Sequence, residues 1–320
     1  MTQPFVVVTG PVPGTPQIAG AEVRVVDAIK PSPEELRRLV RGAAAIISMY
    51  YHKMDAALFD AAGPQLKGVV NYAVGFDNID LAEAKRRGIV VCNTPHAVTE
   101  GTADLAWALL LAVARRLVEA DRFARTPEYA ARGPLGITEF LGMDLTGKNL
   151  LIVGAGRIGY AVAVRSMGWG MRVGYVARQR HLDFELAPLA AQRMSMDDGF
   201  RWADVVSVHT PLTPETRHLI DGRALGMMKP TAILINTSRG PVVDEAALAE
   251  ALEQRKIYGA GLDVYEFEPK VHAGLVGSVH CTLTPHIGSA ETKYRLLMTE
   301  MTCGNVGAIL GGKEPPNRIA

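Results

Sequence analysis

Cysteine, aromatics and net charge are all scarce in this chain. Its 320 residues include 3 Cys and 3 Trp, aromatics make up 6%, and the formal net charge is +1. Cys92, Cys281 and Cys303 form no C-x-x-C pair, which argues against a zinc knuckle or a dithiol redox centre. Each reads as a small buried or half-buried hydrophobe. A near-neutral balance leaves no basic footprint for nucleic acid or an anionic membrane. The longest block of like charge is K-R-R at 85–87. The most apolar run, A-W-A-L-L-L-A-V-A at 106–114, falls well short of the roughly 20 residues a membrane span needs. The start, M-T-Q-P-F-V-V-V-T-G, lacks a basic leader ahead of a long apolar stretch. It reads as a first strand rather than a signal peptide, and the cytoplasm is the expected compartment. What is abundant is ordinary globular material, 48% hydrophobic and 21% charged. That is too much chain for one ordinary core, so two domains are expected.

Runs rich in Val and Ile alternate with helical patterns from the first residues. Strands are predicted at 5–9, 23–27, 44–48, 67–72 and 89–92. A second series follows at 149–153, 172–176, 204–208, 232–236, 259–263 and 281–283. Helices are expected between them at Pro33–Arg41, Asp55–Ala62, Leu81–Arg87, Ile158–Ser166 and Asp244–Gln254. Such alternation predicts an α/β chain of two doubly wound parallel sheets, helix-covered on both faces. One long helix is predicted from Thr99 to about Ala124, where Ala103, Ala106, Leu109, Leu110, Val113, Leu117 and Ala120 keep a helical period. A matching helix runs from about Glu291 to Leu310, and Pro95 and Pro285 punctuate the two crossings. The expected organisation is a discontinuous flavodoxin-like substrate domain, 1–98 and 291–320. Inserted in it is a dinucleotide-binding Rossmann domain, 99–290, with the active site in the cleft.

L-L-I-V-G-A-G-R-I-G at 150–159 is an apolar strand running into G-x-G-x-x-G. Gly154 suits the tight turn, Gly156 the close approach of a pyrophosphate, and Gly159 the packing of helix on strand. The following helix start brings free N–H groups and a positive dipole end. The next strand leads into Y-V-A-R-Q-R-H at 175–181, where an NAD enzyme usually carries an acid on the ribose. Ala177 stands there instead, and Arg178 and Arg180 can pair with a 2′-phosphate. NADPH is the favoured cofactor. The alternative is an enzyme using NADH without the acid, beside two solvated arginines. His209, Thr210 and Pro211 end another strand and are expected along the same groove.

Three residues carry the expected chemistry. Arg239 in N-T-S-R-G ends a strand, where ligands sit in open parallel sheets, and its planar fork suits a 2-keto acid. His286 in T-P-H-I-G-S-A is one of 8 histidines, and alone it would be an unremarkable one. Glu268 in D-V-Y-E-F-E-P changes that, because a neighbouring carboxylate raises a histidine pKa toward working pH. An arginine holding a carboxylate and polarising a carbonyl, with an imidazole delivering the proton, suffices for hydride reduction of a 2-keto acid. Asp263 is either a cap or turn residue or an acceptor for the nicotinamide carboxamide. Asp77 is expected to shape its own turn.

N-Y-A-V-G-F-D-N-I-D, N-T-P, V-G-A-G-R-I-G, H-T-P-L-T-P-E-T, I-N-T-S-R-G, G-A-G-L-D-V and T-P-H-I-G-S-A appear in one order. In these segments the chain resembles the D-isomer-specific 2-hydroxyacid dehydrogenases almost end to end. It is most similar to their glyoxylate/hydroxypyruvate reductase branch. The resemblance implies Arg239, Glu268 and His286 as the catalytic set and backbone contacts to substrate at Val74 and Gly75. It implies cofactor contacts from Gly156, Arg157, Ile158, Gly159, Thr237, Asp263 and Gly288. It also implies a homodimer through the long helix after N-T-P, with that helix's apolar face buried. One departure stands out: the loop R-G-P-L-G-I-T-E-F-L-G at 132–142 lacks the tryptophan of close reductase relatives. Tyr50 and Tyr51 are candidates to fill that space. Another D-2-hydroxyacid or phosphite as substrate, or a non-enzymatic NAD(H)-sensing corepressor on the same fold, stays open. No metal site is expected.

Overall fold

The computed structural model describes residues 3–320, which divide into two units. One runs from the first described residues to Val98 and resumes over Ser289–Ala320; the other is Thr99–Gly288.

In the first unit, Val- and Ile-rich segments form β1 (Phe5–Val8), β2 (Glu22–Val25), β3 (Ala45–Ser48), β4 (Gly68–Asn71) and β5 (Val90–Cys92). All pairings are parallel, in the order β2-β1-β3-β4-β5. Every residue of β3 and β4 is buried, as expected of strands covered on both faces. One face packs Val7, Ile46, Val69 and Val91 against Leu36, Leu58 and Phe59. The direction of winding reverses between β1 and β3, the place where such sheets open a ligand crevice.

The second unit carries β6 (Asn149–Val153), β7 (Arg172–Val176), β8 (Gln192–Arg193), β9 (Val205–Val208), β10 (Ile233–Asn236), β11 (Gly259–Leu262) and β12 (Cys281–Leu283). The order is β12-β11-β10-β9-β6-β7-β8, all parallel, and winding reverses between β6 and β9. Six of these strands fall where the apolar runs predict. The two-residue β8 does not, because Gln192 and Arg193 are both exposed and bring no hydrophobic signal.

The long helix also differs from expectation. It stops at Ala114 and resumes over Leu117–Ala124, with Arg116 left-handed at φ 52° between the two pieces. The cause is a strand of chain laid across the helix end. Met143 N–H donates to the Ala114 carbonyl at 2.7 Å, taking an acceptor the next helical turn needs. Gly142 makes this approach possible, since a methyl there would overlap that same carbonyl. Ten residues of Thr99–Ala114 are buried within the single chain, among them Leu109 and Val113 beneath Gly261 and Gly259. Trp107 donates to the Val162 carbonyl at 3.0 Å. The apolar face assigned to a dimer contact is thus already filled by its own sheet. No helix among the described residues is long and apolar enough to cross a membrane.

Candidate active site

Three strand ends build the chemical part of the second unit. After β10, Asn236 folds N-T-S-R into a tight turn: its side chain accepts from Ser238 N–H at 3.0 Å and donates to the Arg239 carbonyl at 3.0 Å. Arg239 Nη1 donates to the Ser238 carbonyl at 2.8 Å. Gly240 follows because its Cα lies against the backbone of Tyr265 and Glu266, with no room for a methyl. That crossing brings Arg239 beside the segment bearing Glu268, whose carboxyl feels the guanidinium charge.

The imidazole is held from two sides. His286 Nδ1 lies 2.9 Å from Glu268 Oε2, and the other carboxylate oxygen accepts from Tyr265 N–H at 3.1 Å. With Glu268 ionised, Nδ1 carries the proton it shares, so Nε2 is the ring nitrogen turned to chemistry. Burial, the largest influence on Glu268, pushes its pKa up. The His286 hydrogen bond and charge, the Tyr265 N–H and the Arg239 charge outweigh it and hold the group below 4.5. The His286 backbone has φ 56°, a region costly for a residue with a Cβ. Asp263 holds it there. Its carbonyl accepts from His286 N–H at 2.8 Å, and its carboxylate accepts from Thr284 Oγ1 at 2.7 Å and from Ile287 and Gly288 N–H at 2.8 Å. Burial pushes the Asp263 pKa up, against the pull of these donors and the His286 charge. Of the two readings of Asp263, the turn-forming one describes these contacts. Gly288 fits tightly over it, with Thr102 Oγ1 donating to the Gly288 carbonyl at 3.2 Å.

The nucleotide loop meets the demands of a dinucleotide. Gly154 has φ 102°, and a Cβ there would come within 2.7 Å of the His209 backbone. A Cβ on Gly159 would overlap the Gly154 carbonyl, whereas one on Gly156 would meet nothing within 4 Å. The loop is therefore close-packed behind and open in front. Helix Arg157–Arg165 begins with no side-chain cap, so the first-turn N–H groups of Arg157 and Ile158 stay available to a pyrophosphate. The buried hydroxyls of Thr210 and Thr237 have no hydrogen-bond partner among the described residues, which leaves them available to a ligand. His209 Nε2 lies 2.8 Å from Ser207 Oγ, and burial drives the ring pKa down to about 3. Pro211 beside it is exposed. Arg178 is exposed. Arg180, expected to face a phosphate, is instead paired with Glu185, a carboxylate that sequence spacing alone does not bring to mind.

In the first unit, Asn93 donates to the Val74 carbonyl at 2.7 Å and Asn71 to the Gly75 carbonyl at 2.7 Å. Both carbonyls are anchored, while neither residue's N–H donates within the chain among the described residues. Tyr50 and Tyr51 follow β3, edge to face at 5.0 Å, and Tyr51 meets His52 at 4.6 Å. Asp77 lies in the turn between Gly75 and Asn78, with Asn78 Nδ2 donating to the His52 carbonyl at 2.9 Å. No group of three or more His, Cys, Asp or Glu among the described residues is arranged to hold a metal ion.

The pattern of the D-isomer specific 2-hydroxyacid dehydrogenase NAD binding domain matches residues 107–288. The chain belongs to the D-isomer specific 2-hydroxyacid dehydrogenase family. A glyoxylate reductase of Thermococcus onnurineus is 47% identical over 292 residues, covering 90% of this chain and 86% of that one. A solved Thermus thermophilus protein is 43% identical with a TM-score of 0.92, covering 99% and 100% of the two chains. An NADPH-dependent glyoxylate/hydroxypyruvate reductase of Sinorhizobium meliloti, solved with NADP and malonate, is 31% identical with a TM-score of 0.84, covering 100% and 97%.

As a 2-hydroxyacid dehydrogenase of this family, the protein is an oxidoreductase served by a nicotinamide dinucleotide. Several residues that shape its site escape a reading of motifs. Glu245 is 4% exposed and accepts from Glu266 N–H at 2.7 Å and His272 N–H at 3.2 Å, fixing the loop that carries Glu268. Tyr265 Oη ties the same loop to the Thr284 carbonyl at 2.8 Å. Asn71, Asn93 and Asn236 anchor loops in the same way. All three Asn residues carried a signal, because Asn71 opens N-Y-A-V-G-F-D-N-I-D, Asn93 opens N-T-P and Asn236 lies in I-N-T-S-R-G, and an Asx residue at a strand end announces a turn.

Proposed function

We propose that the protein reduces a small 2-keto acid, glyoxylate or hydroxypyruvate, to the D-2-hydroxy acid with NADPH as the preferred reductant. The 2.9 Å contact of Glu268 with His286 Nδ1 is the observation that carries this reading. A bound nicotinamide supplies the hydride to the carbonyl carbon. Arg239 grips the substrate carboxylate and draws electron density from the carbonyl oxygen. His286 Nε2 gives that oxygen its proton, and Glu268 steadies the imidazolium before transfer. In the first unit, the backbone N–H groups of Val74 and Gly75 are the proposed substrate contacts, and Tyr50 and Tyr51 the proposed determinants of substrate size. Gly154, Gly156, Arg157, Ile158, Gly159, His209, Pro211, Thr237, Asp263 and Gly288 would line the dinucleotide, and Arg178 the 2′-phosphate. The T. onnurineus and S. meliloti proteins support the substrate class by their own named activities.

We further propose a homodimer built on the arm after Arg116 rather than on the buried helix. Leu117, Ile137 and Leu141 are 58%, 96% and 63% exposed, and a second copy is the occupant that would cover them. Steady-state kinetics on glyoxylate and hydroxypyruvate with each cofactor test the catalytic reading. Turnover with higher kcat/KM for NADPH is expected, with His286→Gln reducing it on the order of 10²-fold or more. Tight cofactor binding without turnover of any 2-keto acid would refute it and favour a dinucleotide sensor.

A further inference from the structure

Three arginines surround the turn after β7, and they are not equivalent. Arg180 is engaged by Glu185. That carboxylate also accepts from Tyr175 Oη at 2.6 Å, and Tyr175 Oη accepts from His181 N–H at 3.0 Å. Arg180 is thereby committed to closing the turn onto helix Leu182–Glu185. Arg193 comes from the unanticipated strand β8, opposite Tyr175 in register. Its Nη2 donates to the Ala177 carbonyl at 3.0 Å and to the Arg178 carbonyl at 2.9 Å. It makes no ion pair among the described residues, though its charge is felt at Glu185. Arg178 is exposed, its guanidinium has no hydrogen-bond partner among the described residues, and its charge is felt at Glu215.

Resting on the NADPH reading above, we propose that Arg193 is the positioning residue of a 2′-phosphate subsite whose direct ligand is Arg178, and that Arg180 is not a ligand. Two effects follow from one nitrogen. The bonds to consecutive carbonyls fix the backbone from which Arg178 projects, so less freedom is lost when its fork closes on a phosphate. They also turn two carbonyl dipoles toward a cation. A dianionic phosphate then meets a turn of positive potential instead of two bare oxygens. Arg180, neutralised by a partly buried carboxylate, adds little to that potential. The subsite suits a ribose 2′-phosphomonoester, whose charge and three acceptor oxygens call for a fork-shaped donor.

Calorimetric binding of 2′,5′-ADP and of 5′-ADP to the full chain tests this without turnover, since neither ligand carries nicotinamide. The wild-type chain is expected to prefer 2′,5′-ADP by about tenfold or more, the worth of one charge-assisted contact. Arg178→Met should abolish the preference. Arg193→Met should remove most of it and leave 5′-ADP affinity within about twofold, whereas Arg180→Met should keep the preference within about threefold. An unchanged preference in Arg193→Met, or equal weakening of both ligands, would overturn the role of Arg193 while the NADPH reading survives. An Arg180→Met loss as large as that of Arg178→Met would overturn the exclusion of Arg180 as a ligand. A wild-type chain that binds the two nucleotides equally would sink the NADPH reading and this subsite together.

Discussion

A histidine at φ 56° is held against its own backbone preference, at a cost of about 1–2 kcal/mol. Asp263 offsets that cost through four hydrogen bonds to the loop 284–288. The result is an imidazole whose Nδ1 lies 2.9 Å from Glu268 Oε2. Because the folded pKa of Glu268 lies below 4.5, its contribution to stability is present above the unfolded value and disappears as pH falls through the folded one. The Glu268–His286 pair should therefore persist on the acid side down to 4.5 and below. Glu268→Gln keeps the shape and removes the charge; kcat/KM for the 2-keto acid should fall roughly tenfold or more, with little change in the KM of the dinucleotide. A Gln variant with wild-type kcat would show that the carboxylate does no more than pack.

Elements are placed here by glycines and interrupted hydrogen bonds as much as by apolar patterning. The break at Ala114 exists because Met143 occupies its carbonyl and Gly142 allows the approach. Gly142→Ala should therefore lower stability by about 1–3 kcal/mol through overpacking, seen as a fall in Tm. Gly168→Ala is the control, since a methyl there meets nothing within 4 Å and Tm should hardly move. Equal Tm values for both variants would mean that the 142–143 crossing does not terminate the helix. A similar constraint acts at Gly240, where the turn bearing Arg239 passes against Tyr265.

Across the whole molecule, each unit carries a histidine whose pKa is lowered by desolvation. His52 in the first unit is lowered to about 4, chiefly by desolvation and further by Lys30, and His209 in the second to about 3. A histidine with a folded pKa below its unfolded value takes up its proton more readily when unfolded. Its stabilising effect is complete above the unfolded value of 6.5 and is lost as pH falls from there toward the folded pKa. The urea midpoint should thus drop between pH 6.5 and about 4, with a shallower slope in the His52→Gln, His209→Gln double variant. Identical slopes would mean that other groups govern acid lability. Size measurement in solution should return a dimer for the wild-type chain, and Ile137→Asp with Leu141→Asp should shift it toward monomer; a monomeric wild type would dismiss the arm as an interface.

Local pattern carried a large part of this protein. Apolar runs located eleven strands among the described residues, most clearly those such as β6, running into the glycine loop, that are buried throughout and so must be apolar on both faces. Motif order pointed to Arg239, Glu268 and His286, because a strand end, a turn and a proline are visible to neighbours in the chain. Contacts between residues distant in sequence were decided by the tertiary structure alone. Pattern could not show that Met143 ends a helix, that Glu245 anchors the Glu268 loop, or that Arg193 supports the turn after β7. Hydrogen bonds of that kind depend on which backbone groups folding leaves unpaired at each strand end, and no run of adjacent residues records that.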